Sequence, residues 1–543
     1  MRRWLVVAIA GCTTSVDAPP VALRVEPASL DLQVVLGAAP PTAAIHVYAT
    51  SLGGEREVTN DTTFTLAGPA LGSVVDGQFS SDGLTGGAAT ITVAYGDGST
   101  TIPIVTNVYE RRVVDGAPAG LADAFAAATS IAGDAGLSPA DGCVLPPDLG
   151  ALALDFTAAD TDDAEEARIV APYLDLAVDA AGSAGPREVA LTPAEWQAIA
   201  RTALGGSIDV TVASLQTSAP ETAHVASASY GVAELPASSI LVGVLVGSAA
   251  PAFERYDTPT ANLEPMLVGP NGACVGCHIA ISADGSRIAA GVGSVNGGPA
   301  GILFDGHSGA ILATSDASPS PWVAAAFDPS GAMIGANEGV LALRDGTTAA
   351  VMAPIATGEL ATSPTVSPDG SLLAYAEVDA VSDTIDNPLG DSIHVRPWSA
   401  ATAAVGPPTE LVRDGRGVVM PAFSPDGRWI AYGHTANPSS EEPTGAAAVR
   451  ADGMGMIVEL TTDPTDGLAR WASPIAATRV ADRDAEPMVW VAFSSERPVA
   501  SAPAGTRQLW LEAFFPDRGV IAPAFHLAGQ GSAEMLHGPL ALP

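Results

Sequence analysis

Val366-Ser367-Pro368-Asp369-Gly370-Ser371-Leu372-Leu373-Ala374-Tyr375-Ala376 decides the fold, because its frame returns three times. The copies are Phe423-Ser424-Pro425-Asp426-Gly427-Arg428-Trp429-Ile430-Ala431-Tyr432-Gly433, Ile281-Ser282-Ala283-Asp284-Gly285-Ser286-Arg287-Ile288-Ala289-Ala290-Gly291 and Phe327-Asp328-Pro329-Ser330-Gly331-Ala332-Met333-Ile334-Gly335-Ala336-Asn337. They align without gaps at spacings of about 40 to 57 residues, a period that suits four-stranded blades. In the two full copies proline presets φ at the second turn position and aspartate tolerates the third, Ala283 and Ser330 standing in once each, and in all four glycine takes the positive φ that closes the hairpin. An inner strand is thereby joined to an apolar second strand. A degenerate fifth copy, Trp471-Ala472-Ser473-Pro474, leads to the strand patterns Val489–Ser495 and Arg507–Phe514.

These Ser-Pro-Asp-Gly blades resemble those of TolB-like propellers, relatives of the WD repeat, over residues 237–543. The resemblance implies a β-propeller. Five blades are visible directly, and a sixth forms if strands around Ile240 to Tyr256 pair with the segment from Phe525 to Leu542, which closes the ring and removes its edges. Six blades are therefore expected.

Upstream the pattern is also all-β. From residue 23 to 110, short alternating segments are separated by Gly, Asp and Asn turns. The pieces V-E-P-A-S-L-D-L, H-V-Y-A-T, V-D-G-Q-F and G-G-A-A-T-I-T-V-A-Y-G-D-G resemble the bacterial immunoglobulin-like group 2 domain in order and spacing. That implies a spacer or adhesive sandwich. Residues 111–142 are rich in Ala and Gly with weak periodicity and read as a linker with one short helix. Residues 143–236 read as a second sandwich of fibronectin or immunoglobulin type, interrupted by one helix with Thr192 as its cap, Pro193 at its first position and Trp196 on its packing face.

The chain is 543 residues with 60 acidic and 23 basic residues, a formal charge of -37. Such a surface repels phosphate backbones and argues against nucleic acid as a partner. After residue 12 no apolar run approaches the roughly 18 residues that span a bilayer. Residues 1–11 carry two arginines and an apolar stretch, and Ile9-Ala10-Gly11-Cys12 resembles the lipobox of bacterial lipoproteins. By that resemblance Cys12 is lipidated, residues 12–22 form a tether, and membrane binding gains about 0.8 kcal/mol per buried methylene. Thr13, not being Asp, implies the outer membrane, so the expected location is the cell envelope, facing periplasm or cell surface.

One constellation suggests chemistry. Cys274-Val275-Gly276-Cys277-His278 is a complete C-x-x-C-H and resembles the attachment motif of c-type cytochromes, in which two thiols add to the haem vinyl groups and the imidazole takes an axial iron site. Haem c is the cofactor this implies, with Cys274, Cys277 and His278 holding it and Met266 or Met420 as sixth ligand. His278 and Met420 both lie four residues before a repeat serine, so they occupy equivalent positions on inner strands three blades apart. No amphipathic helices flank the motif. A Cys274–Cys277 disulfide and a zinc site remain open alternatives.

Other residues read as structural. The acidic run Asp160, Asp162, Asp163, Glu165 and Glu166 misses the calcium-loop spacing and reads as a solvated loop. His307, His394, His434, His526 and His537 are isolated in sequence, and Cys143 reads as a small buried hydrophobe. No nucleophile elbow, zinc-protease motif or phosphate loop occurs, so no catalytic residue is identified. Two readings follow: a lipid-anchored propeller carrying haem for electron transfer or redox sensing, with a redox partner, and a non-catalytic scaffold whose propeller binds an envelope protein, peptide or glycan.

Overall fold

The computed structural model describes residues 22–51, 54–133, 136–182, 185–237, 240–245, 252–267, 275–292, 300–314, 322–378, 390–413, 415–436, 443–461, 463–481, 483–503, 505–530, 534–535 and 540–541. The chain divides into two compact units, Met1–Tyr109 and Glu110–Pro543. Cys12 and the leader lie outside the described residues.

In the first unit, alternating residues along short strands feed a single core. Ala22–Glu26 pairs antiparallel with His46–Ser51, and Gly87–Tyr95 lies between Thr63–Ala67 and the strand that starts at Gly98. Val47, Phe79, Ile91, Val93, Ile102 and Ile104 are fully buried between these sheets. The hairpin Gly72–Val75 to Gln78–Ser81 turns on Asp76 and Gly77 at φ +50° and +74°. Two consecutive positive φ values give the turn whose twist matches the flanking strands, which is why an Asp-Gly pair sits there.

The second unit begins with a module built on the antiparallel strands Ala164–Ala171, Leu174–Ala181, Ser207–Leu215 and Thr222–Val232. A separate pair, Ala153–Ala158 with Gly185–Ala190, and the helix Pro193–Thr202 pack with it. That helix carries a full capping box, with the Thr192 hydroxyl accepting the Glu195 N–H and the Glu195 carboxylate accepting the Thr192 N–H, and Trp196 is buried. The stretch expected as a linker, 111–142, is instead folded into this unit. It contains the helix Leu121–Ala127 and the strand Thr129–Ala132, which pairs parallel with Thr222–Val232. Arg111 bonds Asp179 at 2.8 Å and Arg112 bonds Glu195 at 2.6 Å, so charge pairing to distant residues orders a segment whose hydrophobic periodicity is weak.

The remainder is a six-bladed propeller, one sheet per blade. Blades 2 to 5 run from an inner to an outer strand in chain order, with inner strands Val275–Ile281, Ala324–Phe327, Ala361–Val366 and Gly417–Phe423. Asp466–Trp471 is the inner strand of blade 6. Blade 1 holds Ile240–Leu245, Ala252–Asp257 and Asn262–Leu267, and its inner position is filled by the C-terminal pieces Glu534–Met535 and Leu540–Ala541, which pair with Ile240–Leu245. The ring thus closes by joining its two ends, which leaves no inner edge for another chain to extend.

The repeated turns owe more to serine than the sequence reading assigned. Ser367 Oγ donates to Asp369 Oδ1 at 2.6 Å and accepts the Leu372 N–H at 2.9 Å, while Gly370 at φ +72° donates its N–H to the Ser367 carbonyl at 2.8 Å. Ser282 with Asp284 and Ser424 with Asp426 repeat this arrangement. The Ser367 hydroxyl and the Ser371 N–H hold the Asp369 carboxyl below the usual carboxylate range. In blade 3, Asp328 stands in the serine position and accepts the Trp398 indole N–H from blade 4 at 3.1 Å. Between blades 5 and 6, Trp429 meets Phe514 edge-on with centroids 5.2 Å apart, in a cluster with Trp471, Phe493 and Trp510.

Candidate functional site

The inner strands of blades 2 to 6 converge on the central channel, where they line a cavity of 250 Å³. Its wall comprises Ile279–Ile281, Ala324–Phe327, Ser363–Val366, Met420–Phe423 and Arg470. The repeat explains the register. Three residues before Ser282, Asp328, Ser367, Ser424 and Ser473 lie Ile279, Ala325, Pro364, Pro421 and Arg470, which all line the cavity. Four of that tier are apolar and one is cationic.

Bulges shape this wall. Residues 363–364 oppose only Tyr375, and residues 420–421 oppose only Tyr432, so each inner strand carries one extra residue. Ser363 and Met420, the first residue of each bulge, adopt φ +47° and +49° ahead of a proline. Non-glycine residues held there carry about 1 kcal/mol or more of strain, a feature that concentrates at functional positions. The Ser363 hydroxyl is buried and has no hydrogen-bond partner, whereas Thr365 Oγ1 accepts the Phe423 N–H at 3.3 Å. Blade 6 has the same irregularity between Asp466 and Ala469.

Among the described residues, Arg470 is the only charged one in the wall. It is buried, and among the described residues its one bond runs from Nη1 to the carbonyl of the preceding Ala469 at 3.0 Å. Burial alone pulls the guanidinium down to about 10, with no carboxylate opposing that shift. Neighbouring arginines differ: Arg497 pairs with Asp466, and Arg396 bonds Glu359 at 2.8 Å. The sequence reading missed Arg470. Its signal was the register of the degenerate fifth copy, where Arg stands in the tier that the clear copies fill with Ile, Ala or Pro.

The expected haem residues fall as follows. Cys274 lies outside the described residues. Cys277 and His278 lie on the inner strand of blade 2, where residues 276–278 oppose the single residue Gly291, an irregularity one residue longer than those at 363–364 and 420–421. Met266 is on the outer strand of blade 1 and packs against the core of Phe253, Leu267, Ile288 and Phe304. Met420 is buried against Val419 and Leu468 at the channel wall. Among the described residues no group of His, Cys, Asp and Glu is arranged to hold a metal ion.

Several residues read as isolated or solvated have partners. His394 is buried with Nδ1 3.1 Å from Glu359, and its Nε2 lies 3.4 Å from Glu377 and 3.7 Å from Glu410. His434 lies 3.1 Å from Glu459, and His526 lies 3.2 Å from Gln530. His537 is outside the described residues. The acidic run is not a solvated loop: Asp162 is buried and accepts from Ser214 at 2.6 Å, lies 2.8 Å from His224, and Glu165 faces Arg187 at 3.4 Å. Strand pairing across the module supplies those partners, and sequence proximity does not reveal them. Cys143 is fully buried, and burial raises its thiol far above the usual range.

No protein-family model matches the sequence, and no curated protein matches it. Among solved structures, the chain is similar to TolB from Acinetobacter baumannii at 15% identity and a TM-score of 0.36, over 61% of this chain and 79% of that chain. Among the described residues no helix is long and apolar enough to cross a membrane.

Proposed function

We propose that the chain is a non-catalytic binding protein of the cell envelope, tethered through Cys12, whose propeller recognises its partner at the central channel. The observation that carries this reading is the channel wall, in which small side chains surround two bulged residues at positive φ and one buried guanidinium that meets no carboxylate among the described residues. A wall of alanines and prolines leaves room for an inserted group, and an uncompensated cation gives that group a reason to enter. The test is site-specific photo-crosslinking in the host cell. A photoreactive residue at Phe327, where an inner strand ends at the cavity, is expected to give a discrete adduct that is absent when the probe replaces Met352, which is 62% exposed on an outer strand. Equal labelling from both positions refutes the reading. Loss of the lipid label in Cys12→Ala tests the tether.

A second reading is favoured by the complete C-x-x-C-H at the start of the propeller. Here Cys274 and Cys277 would hold haem c, with His278 as a ligand to its iron and Met266 or Met420 as the candidate for a further one. Haem would supply one-electron chemistry. Protein made with the haem-ligation machinery is then expected to show a Soret band and a pyridine haemochrome. A colourless protein whose Cys274–Cys277 peptide is two hydrogens lighter establishes the disulfide instead.

A further inference from the structure

We propose that Arg470 and Ser363 form a carboxylate-binding site inside the propeller channel. The proposal rests on the reading of the channel as the recognition site and names the chemistry that site selects. Its first support is Arg470 itself. A guanidinium buried without a counter-ion is a costly arrangement, and this chain has 60 acidic side chains from which a partner was available. Arg497, also in blade 6, is neutralised by Asp466. Arg470, which lines the cavity, meets no carboxylate among the described residues.

The second support is independent of charge. Ser363 Oγ is buried in the wall of the same cavity, two blades away, with no hydrogen-bond partner among the described residues, on a backbone held at φ +47°. A buried hydroxyl left unsatisfied costs free energy that a ligand acceptor recovers. One bidentate cation and one hydroxyl donor suit two carboxylate oxygens. A phosphate dianion suits the site less well, because a single positive charge leaves it half neutralised in a protein whose formal charge is -37. The apolar remainder of the tier, including Ala325, Pro364 and Pro421, fits a short aliphatic group behind the carboxylate. Two sources share this chemistry: a free small organic acid, and the C-terminal carboxylate of a polypeptide.

Calorimetric titration of the full chain separates them. The probes are propionate, N-acetyl-Ala-Ala-Ala as the free acid, the same peptide as its carboxamide, and inorganic phosphate. The free acid is expected to bind about tenfold or more tightly than the carboxamide, a preference that Arg470→Gln abolishes and Ser363→Ala weakens by a smaller factor. Tighter binding of the peptide acid than of propionate identifies a chain terminus, and equal binding identifies a free acid. The proposal is overturned if acid and carboxamide bind alike, if phosphate binds more tightly than either acid, if Arg470→Gln leaves the acid affinity unchanged, or if no acid binds. The acid–carboxamide comparison needs only the wild-type protein, so a misfolded Arg470→Gln does not weaken the test. Absent acid binding with a persisting Phe327 adduct removes the carboxylate site and leaves the recognition face standing. Intact acid binding without that adduct does the reverse.

Discussion

Lowering the pH from 6.5 toward 4 is expected to destabilise the propeller through one residue, His526. It lies in the short strand Phe525–His526 of blade 6, beside the Trp510 ring with centroids 5.7 Å apart and 3.2 Å from Gln530 Nε2. Nδ1 is buried without a partner, and burial alone pushes the imidazole down from 6.5 to about 4. The imidazole is therefore neutral in the folded state. In the unfolded chain it takes a proton near its ordinary value, so stability is intact above about pH 6.5 and is lost as pH falls toward 4. The shift corresponds to about 3 kcal/mol, and to a fall in Tm of roughly 5 °C or more for a domain of this size. Differential scanning calorimetry between pH 7.5 and 4.5 on wild type and His526→Gln measures the effect, because glutamine keeps a polar side chain and cannot charge. The wild-type Tm should fall more steeply than that of the variant within this window, before the carboxylates held low in the turns begin to protonate. Parallel curves would falsify the assignment.

Three further outcomes test the blades. Glu512 is fully buried with Oε1 unpartnered, and burial, reinforced by nearby Asp466 and offset in part by Arg497, raises its carboxyl well above the usual range. Its stabilising contribution is present at low pH and lost as pH rises, so Glu512→Gln should melt higher than wild type at pH 8 and alike near pH 5. Ser367→Ala removes both the acceptor of the Leu372 N–H and a donor to Asp369, at a cost of about 1–3 kcal/mol. Denaturant titration should register that loss, with the Asp369 carboxyl rising toward its ordinary value in an NMR titration. Trp490→Phe deletes the indole N–H bond to the Leu235 carbonyl at 3.0 Å, and hydrogen exchange around 233–237 should accelerate by one to two orders of magnitude, the equivalent of about 1–3 kcal/mol.

The fold was legible because blades are local. Each Ser-Pro-Asp-Gly turn is specified by residues within five positions of one another, so four gapless copies suffice to reveal the repeat, and ring closure by the chain ends follows from the need to cover an edge. The linker reading at 111–142 failed for the opposite reason. Arg111 and Arg112 owe their order to Asp179 and Glu195, some 70 to 80 residues away, and composition carries no trace of such pairing.

The same division holds at the channel. The equivalence of His278 with Met420 could be read by counting back from the repeat serines, since strand register is a property of sequence spacing. What the repeat alone withheld is that blade 6 places a cation in a tier otherwise lined by Ile279, Ala325, Pro364 and Pro421, with no carboxylate among the described residues against it. Whether an arginine is paired depends on every side chain that folding brings within a few ångströms, here from five blades spread over nearly 200 residues. Sequence by itself determined the repeat, its turns and the all-β class. Only the closed ring brought Arg470, one of the chain's 23 basic residues, to the wall of the channel.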